Sequence, residues 1–134
     1  MTTPRLDDEA MMTLRVTLHP RQIGRTPAGH RVEVPFEGTA TSPHWDGERE
    51  ASGVDHITVG SNGISRLDVH TIVTEGDETI AYRGTGRGGP DGVLEGVVFE
   101  TASERLAWMN EAVAVGVGTV DGRELTVDIF AIQI

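Results

Sequence analysis

The sequence predicts a mainly β protein: a single antiparallel β-barrel of about eight strands with one short helix. Short runs rich in β-branched residues alternate with polar residues, and many of the 17 glycines lie between these runs. The dipeptide Asp121-Gly122 stands between two alternating segments, a strong signal for a hairpin. Closure into a barrel removes the exposed edges that so many strands would otherwise leave. The 134 residues suffice for one domain only.

The strands follow from the alternation, in chain order. The first spans residues 12–18 and ends at His19-Pro20. The others are expected over 31–37, 54–59, 65–74, 79–86, 93–99, 112–120 and 124–134. Pro35 lies within the second strand and predicts an edge or a bulge there, because proline cannot donate to a ladder. The glycine-rich run 87–92 has the composition of a loop.

One segment departs from the β pattern. The run Thr101-Ala102-Ser103-Glu104 fits a capping box. It is followed by apolar residues at helical spacing, namely Leu106, Met109 and Val113. These features predict a short helix over residues 102–110, with Asn110 suited to end it.

The first residues carry neither a strand pattern nor a targeting signal. Residues 1–11 are expected to form a flexible tail, and residues 12–134 the barrel domain. The beginning of the chain is polar and acidic, unlike a secretory signal, and no apolar run reaches the ~18–20 residues of a membrane helix. We therefore expect a cytoplasmic location.

The composition excludes several kinds of chemistry. The chain has no cysteine, and all eleven basic residues are arginine. Thiolate nucleophiles, thiolate metal sites, a Schiff-base lysine and a P-loop lysine are therefore excluded. The net charge of −10 argues against nucleic acid and against an anionic membrane surface as partners.

No cofactor or metal is expected either. The glycine run 84–89 is followed by Pro90 where a phosphate-binding loop would begin its helix. The five histidines show no short paired spacing typical of a metal site. A metal-dependent enzyme that uses His56, His70 and Asp68 across strands remains a weaker alternative.

The strand over residues 65–74 is the most informative. Leu67, Val69, Thr71 and Val73 share one face, whereas Asp68, His70, Ile72 and Thr74 share the other. Either the face with Asp68 and His70 meets solvent or it lines a polar cavity, and the alternation does not decide between them.

Two aromatic residues outside that strand are also candidates. Tyr82, the only tyrosine, is either a core residue or a catalytic one. Trp45 lies in a turn-rich loop, where it either plugs a barrel end or closes the mouth of a pocket.

The chain also resembles the bacterial and fungal proteins of the domain of unknown function 3237 family. The resemblance covers about residues 12–134 and rests on Phe99-Glu100-Thr101, Ala107-Trp108-Met109-Asn110, Val113–Gly118, Gly29-His30-Arg31-Val32, Phe36-Glu37-Gly38, Gly53-Val54-Asp55-His56, Leu67-Asp68-Val69-His70 and Ile80-Ala81-Tyr82-Arg83-Gly84. It implies a calycin-like or allene-oxide-cyclase-like barrel, often self-associated, with an interior cavity. It also implies a polar interior around Asp55, Asp68, Tyr82 and Trp108.

Two positions depart from that resemblance. His56 stands where the family usually has tryptophan, and His70 where it usually has arginine. These substitutions place two titratable imidazoles where the family usually has neither. They indicate chemistry that departs from that of the family.

The leading hypothesis is a cofactor-independent lyase, isomerase or cyclase that acts on a small, oxygenated, largely apolar molecule inside the barrel. An enclosed Asp68 with raised basicity would remove a proton beside a carbonyl group. The candidate catalytic residues are Asp68, His70, Tyr82 and His56. The candidate substrate-binding residues are Asp55, Arg83, Trp45, Trp108 and Glu100. The alternative is a non-catalytic barrel that binds a small molecule.

A homo-oligomer, with a dimer as the expected form, is the last prediction. If Leu67, Val69 and Val73 face outward, they form a sizeable apolar patch on the sheet. The opposite register buries them and exposes Asp68 and His70. The register therefore decides the oligomer surface together with the site.

Overall fold

The computed structural model describes residues 2–90 and 92–134 and confirms a closed antiparallel β-barrel. Its ten strands are β1 (Arg5–Leu6), β2 (Met12–Leu18), β3 (Arg21–Thr26), β4 (Gly29–Thr41), β5 (Arg49–Val59), β6 (Ser65–Glu75), β7 (Glu78–Gly89), β8 (Gly92–Thr101), β9 (Val113–Asp121) and β10 (Glu124–Gln133). Eight of them, β2 and β4 to β10, form the barrel, which is closed by the pairing of β9 with β10. In the described part of the chain, no helix has the length and apolarity needed to span a membrane.

The two strands outside the closed ring extend it. β3 pairs only with the first half of β4, and β1 pairs with the last residues of β10. β3 escaped prediction because most of its residues are exposed, so it carries no apolar alternation. Pro35 lies between the stretches of β4 that pair with β2 and with β3, a local edge at which no ladder donor is required.

The register decides which residues form the core. Leu67, Val69, Thr71 and Val73 of β6 are all buried in the interior, and Asp68 and His70 therefore face outward. The interior of the other strands is equally apolar, with Leu14, Val16, Ile80, Val97, Val127 and Ile129 among its buried side chains. The apolar patch expected for outward-facing Leu67, Val69 and Val73 does not exist.

The predicted helix is wrong: the segment contains only a 3-10 turn over Ala107–Glu111. The Asn110 side chain accepts a hydrogen bond from the backbone N–H of Thr101 (2.8 Å) and donates one to its carbonyl oxygen (2.9 Å). These two bonds fold the segment back against β8, while Leu106 and Met109 insert into the barrel end. Burial of the two apolar side chains across a barrel end leaves no length for a regular helix.

The tail prediction also needs correction. Arg5 and Leu6 pair with Gln133 and Ile132, and Met11 is buried in the core. The backbone of Met11 is held as well, because its N–H donates to the carbonyl of Ile129 at 2.8 Å. Arg5, Leu6 and Met11 are therefore held against the barrel, so residues 1–11 do not form a free tail along their whole length.

Candidate functional site

Four polar side chains point into the apolar interior of the barrel, one from each of four neighbouring strands. They are Asp55 of β5, Thr71 of β6, Tyr82 of β7 and Glu95 of β8. Thr71 and Tyr82 lie directly opposite each other in the ladder, and Asp55 lies opposite the buried Val69. Thr71, Tyr82 and Glu95 are almost fully buried, and Asp55 is partly buried. The register thus concentrates these polar groups on one wall of the barrel.

Glycines make the room for Glu95. The ladder places Gly86 of β7 and Gly116 of β9 directly beside it. Gly84 lies two residues before Gly86 on β7, and a Cβ atom there would lie 2.7 Å from Glu95 Oε2. A Cβ atom at position 116 would lie 2.9 Å from Glu95 Cγ. Larger residues at these positions would collide with the carboxyl group, so the glycines form a cradle for it.

Burial changes the acidity of the inner groups. It raises the pKa of Asp55 to about 6. Burial, with a smaller contribution from the Asp55 charge, raises the pKa of Glu95 to about 7. Burial and the charge of Glu95 also raise the pKa of Tyr82. Near neutral pH, Asp55 is therefore mostly ionised, while a large fraction of Glu95 is protonated.

The inner carboxyl groups have unused hydrogen-bonding capacity. Within residues 2–90 and 92–134, three buried oxygen atoms have no hydrogen-bond partner: Asp55 Oδ1, Thr71 Oγ1 and Glu95 Oε1. Buried polar atoms in folded proteins are normally paired, and exceptions concentrate at functional positions. Two of these atoms, Asp55 Oδ1 and Glu95 Oε1, belong to residues that line a cavity inside the barrel and are available to a bound molecule.

A cavity of about 30 Å³ lies among these groups. Three of its eleven lining residues are polar, namely Asp55, Tyr82 and Glu95; the other eight are Leu14, Leu18, Phe36, Leu67, Val69, Val93, Leu125 and Val127. This volume holds about one water molecule, so a larger ligand requires side chains to move. Leu18, Val93 and Leu125 stand at that end of the barrel and are only partly buried.

The opposite end of the barrel is closed. Met11, Leu106 and Met109 fill it, and Trp45 covers Arg49 at 4.3 Å from the ring centroid to the guanidinium carbon. Trp45 is thus a plug at the barrel end remote from the cavity. The end with Leu18, Val93 and Leu125 is the less tightly closed of the two, because these three lining side chains are only partly buried.

The residues that the sequence nominated are divided between two faces of the sheet. Tyr82 and Asp55 come together inside, where the resemblance implied them. Asp68, His70, His56 and Arg83 lie outside, so the expectation that Asp68 and His70 enclose the cavity is wrong. The register reverses it because Leu67, Val69 and Val73 of β6 are all buried on the opposite face.

The outer group is a solvent-exposed ion-pair cluster. Arg83 Nε donates to Asp68 Oδ1 at 3.1 Å, and Arg83 Nη2 donates to Oδ2 at 3.2 Å. His70 Nε2 lies 3.4 Å from Asp68 Oδ1, and His56 Nδ1 lies 3.6 Å from an oxygen of Glu33. The Arg83 guanidinium lowers the pKa of Asp68, the opposite of the raised basicity expected for an enclosed base.

Two further candidates also lie away from the cavity. Trp108 is exposed beside His44, with 4.8 Å between ring centroids, at the closed end. Glu100 is exposed on the outer face of β8, opposite Ala81. A polar interior around Trp108 is therefore absent, because the 3-10 turn directs Met109 rather than Trp108 inward.

Sequence reasoning missed Glu95 and Thr71. Glu95 stands in phase with Val93, Val97 and Phe99 on the buried face of β8. A lone glutamate in an apolar stripe was the signal available in the sequence, whereas its ladder neighbours Gly86 and Gly116 are identified only by the structure. The described residues contain no group of three or more His, Asp or Glu side chains arranged to hold a metal ion.

Comparison with known proteins agrees with this fold. A crystal structure of a protein of unknown function from Clostridium acetobutylicum superimposes with a TM-score of 0.83 at 18% identity, covering 96% of this chain and 98% of that one. A β-barrel-like protein from Acinetobacter baumannii gives 0.82 at 21% identity, with coverages of 99% and 98%. A protein from Penicillium herquei described as an enzyme gives 0.68 at 20% identity, with coverages of 99% and 97%.

At these sequence identities the solved structures show a shared fold only, and their functions are not transferred to this chain. Comparison with curated proteins gives no match. The model of the family described as "Protein of unknown function (DUF3237)" matches residues 7–97, more than half of the chain. The chain therefore belongs to the DUF3237 family.

Proposed function

We propose that this protein is a cofactor-independent lyase, isomerase or cyclase that acts on a small, oxygenated, largely apolar molecule inside the barrel. The observation that carries the proposal is the pair of inner carboxyl groups, Asp55 and Glu95, which share one apolar cavity with Tyr82. The pKa of Asp55 is about 6 and that of Glu95 is about 7. Near neutral pH, Asp55 can therefore serve as the base and Glu95 as the acid.

The chemistry follows from the charge states near neutral pH. The Asp55 carboxylate removes a proton from a carbon next to a carbonyl group, and the electron pair moves onto the carbonyl oxygen. Tyr82 or protonated Glu95 donates a hydrogen bond to that oxygen as its negative charge develops. Return of the proton at another carbon gives an isomer, loss of a β leaving group gives a lyase reaction, and attack of the enolate within the molecule closes a ring.

The lining defines the kind of substrate. Eight of the eleven lining residues are apolar, and neither an arginine nor a histidine is among the eleven. A carboxylate or phosphate would meet two carboxyl groups and no cation, so an uncharged molecule with carbonyl or hydroxyl oxygens fits best. It enters by displacing the side chains of Leu18, Val93 and Leu125, which are only partly buried.

The relative from Penicillium herquei supports this proposal in a limited sense. It shares the barrel and is described as an enzyme, so the fold is compatible with catalysis.

A non-catalytic binding barrel is the second candidate, and the apolar majority of the cavity lining favours it. In that case Asp55, Tyr82 and Glu95 orient an oxygen atom of the ligand without transferring a proton. The two candidates differ in whether the bound compound is chemically changed.

The first test needs no substrate. The carbon-13 signals of the Asp55 and Glu95 carboxyl groups are followed by NMR from acid to neutral pH in the wild-type protein. We expect midpoints near 6 and 7. Midpoints at the ordinary values of about 4 for both groups would remove the basis of the proposal.

The second test measures proton transfer directly. Uncharged cyclic and acyclic ketones are incubated with the protein in deuterium oxide, and exchange at the carbon next to the carbonyl is followed by proton NMR. Asp55→Asn and Glu95→Gln are each expected to lower the protein-dependent rate by about 10²-fold or more. Glu50→Gln, which changes an exposed carboxyl group on the same strand as Asp55, serves as the control.

The variant Asp68→Asn decides between the two faces of the sheet. Loss of exchange in Asp68→Asn with wild-type exchange in Asp55→Asn would move the catalytic site to the outer cluster. Saturable binding of the ketones, seen as shifts of the Tyr82 ring signals, without any exchange would establish the binding barrel instead.

A further inference from the structure

The outer face of β8 and β9 carries a group of exposed aliphatic side chains. Leu94 and Val98 of β8 are 57% and 51% exposed, and Val113 and Val117 of β9 are 52% and 44% exposed. The ladder pairs Leu94 with Val117 and Val98 with Val113, so the four side chains stand at the corners of one rectangle. We call these four residues the β8–β9 patch.

The patch has a smooth centre. Gly96 and Val115 pair with each other between the two apolar pairs. Gly96 carries no side chain, and a Cβ atom there would have its nearest neighbour only at 4.0 Å, the carbonyl oxygen of Thr85. At Gly96, therefore, no side chain projects between the two apolar pairs to hold a partner surface away.

A partner must use these side chains rather than the backbone. β8 is paired on both sides, with β7 and β9, and β9 is paired with β8 and β10. A partner therefore cannot add a strand here, because neither β8 nor β9 has an unpaired edge. Contact between two sheet faces is the mode of association that remains.

The area of the patch suits a dimer. The four side chains together with the partly buried Val115 and Phe130 expose on the order of 400 Å² of apolar surface, the size of the largest patch on a typical protein surface, which is often an interaction site. A dimer interface of ordinary size takes about 800 Å² from each partner, of which about 65% is apolar in homodimers. The patch supplies most of the apolar part.

The charges on either side of the patch identify the occupant. One continuous row of the sheet runs across β7, β8, β9 and β10 as Arg87, Leu94, Val117 and Asp128. The row is basic at one end, apolar in the middle and acidic at the other end. When a second copy of the row is rotated by 180°, its acidic end faces the basic end of the first row.

We propose that the β8–β9 patch is the interface with a second copy of this chain. The two-fold axis of this dimer lies parallel to the strands between β8 and β9. Leu94 then faces the partner's Val117, and Arg87 faces the partner's Asp128, so each contact occurs twice. The long side chain of Arg87 spans the space that the curvature of the two barrels opens at the rim.

The charge pairs also explain how two acidic chains associate. Each chain has a net charge of −10, which opposes association at low salt. Arg87 and Asp128 place opposite charges face to face at both rims and fix the orientation of one copy on the other. The interface is thus held by the aliphatic centre and aligned by its rim.

The test is the molar mass of the intact protein by analytical ultracentrifugation over a range of micromolar concentrations. The wild-type protein is expected at twice the 14.4 kDa of one chain. Val117→Glu places a carboxylate in the centre of the interface and is expected to raise the dissociation constant at least tenfold. Ile23→Glu makes the same kind of change at an exposed position on β3, away from the patch, and is expected to leave the dimer unchanged.

A charge exchange tests the orientation of the two copies independently of the apolar centre. Arg87→Asp alone sets two carboxylates against each other and weakens the dimer. Addition of Asp128→Arg to the same chain restores the opposite-charge pairs and is expected to restore the dimer. Circular dichroism of each variant confirms that the barrel is intact.

Three results would overturn the proposal. One is a monomeric wild-type protein at every concentration. Another is an unchanged dimer in folded Val117→Glu. A dimer that Val117→Glu disrupts, but that the double charge exchange fails to restore, would reject the two-fold arrangement.

Discussion

Arg49 Nη1 lies 2.7 Å from Glu78 Oε1, a contact that spans β6 and joins the beginning of β5 to the beginning of β7. Glu78 also accepts hydrogen bonds from Ser103 Oγ at 2.6 Å and from Arg105 Nη2 at 2.9 Å. One carboxylate thus gathers the segments that cover the closed end of the barrel. These donors lower its pKa to about 2.

Glu78→Gln is accordingly expected to lower the thermal unfolding midpoint more than Glu75→Gln does. Both glutamates contact Arg49, but Glu75 lies at 3.2 Å with an exposed side chain and has one ion-pair partner. Because the folded pKa of Glu78 is depressed, its contribution is present above the ordinary value of about 4.5 and is lost as the pH falls through about 2. Unfolding scans near neutral pH compare the two variants. Equal midpoints would show that Glu78 is not the organising group.

The inner carboxyl groups make stability fall as the pH rises. The folded state binds more protons than the unfolded state between about pH 4 and pH 7, because the pKa values of Asp55 and Glu95 are raised on folding. The contribution of the two groups to the free energy of unfolding is thus fully present below about pH 4. It declines between about pH 4 and pH 7 and is lost above about pH 7. At about 1.4 kcal/mol for each pKa unit, the two groups together account for about 6 kcal/mol of this decline.

Urea denaturation at about pH 4.5 and about pH 8 measures this decline. Asp55→Asn with Glu95→Gln is expected to reduce it, whereas Glu50→Gln leaves it unchanged. A double variant with the same decline as the wild-type protein would contradict the raised pKa values.

The glycines of β7 allow a matched pair of substitutions. A Cβ atom at position 86 would lie 2.0 Å from the carbonyl oxygen of Leu94, so Gly86→Ala forces β7 and β8 apart. At position 88, two residues along, the nearest atoms lie at 3.5 Å, an ordinary contact. Gly86→Ala is expected to cost about 2 kcal/mol or more of the free energy of unfolding, and Gly88→Ala less than about 0.5 kcal/mol. Urea denaturation of both variants provides the comparison.

Tyr82→Phe separates catalysis from packing. The phenol ring packs on Phe99, with 5.9 Å between ring centroids, and phenylalanine keeps that contact. Stability is expected to change by less than about 1 kcal/mol. If the hydroxyl group stabilises the developing oxyanion, kcat for ketone exchange falls by about 10²-fold, whereas KM changes little. An unchanged kcat would assign that role to Glu95 alone.

Much of the fold was available from local pattern. The alternation predicted the eight barrel strands, and Asp121-Gly122 predicted the last hairpin, because period-two alternation and turn chemistry act over a few residues. The 102–110 segment had helical spacing but failed to become a helix, since the bonds between Asn110 and Thr101 are tertiary. Local periodicity carries no information about such contacts.

The candidate site was predictable only in part. Tyr82 and Asp55 were nominated from the sequence, and the structure places both at the cavity. Asp68 and His70 were nominated as well, because charged residues beside an apolar stripe are compatible with either face of a sheet. Glu95 was overlooked because its neighbours in the ladder, Gly86 and Gly116, lie on other strands.

The sequence by itself determined the class of the protein, the positions of its strands, its acidic surface and the kinds of chemistry it lacks. Only the tertiary structure decided which face of each strand lines the interior, and with it whether Asp55 and Glu95 or Asp68 and His70 surround the cavity. Alternation divides the residues of a strand between two faces but does not show which face is buried. Burial of the aliphatic residues of eight strands in one closed barrel selects between them, and that selection depends on all eight strands at once.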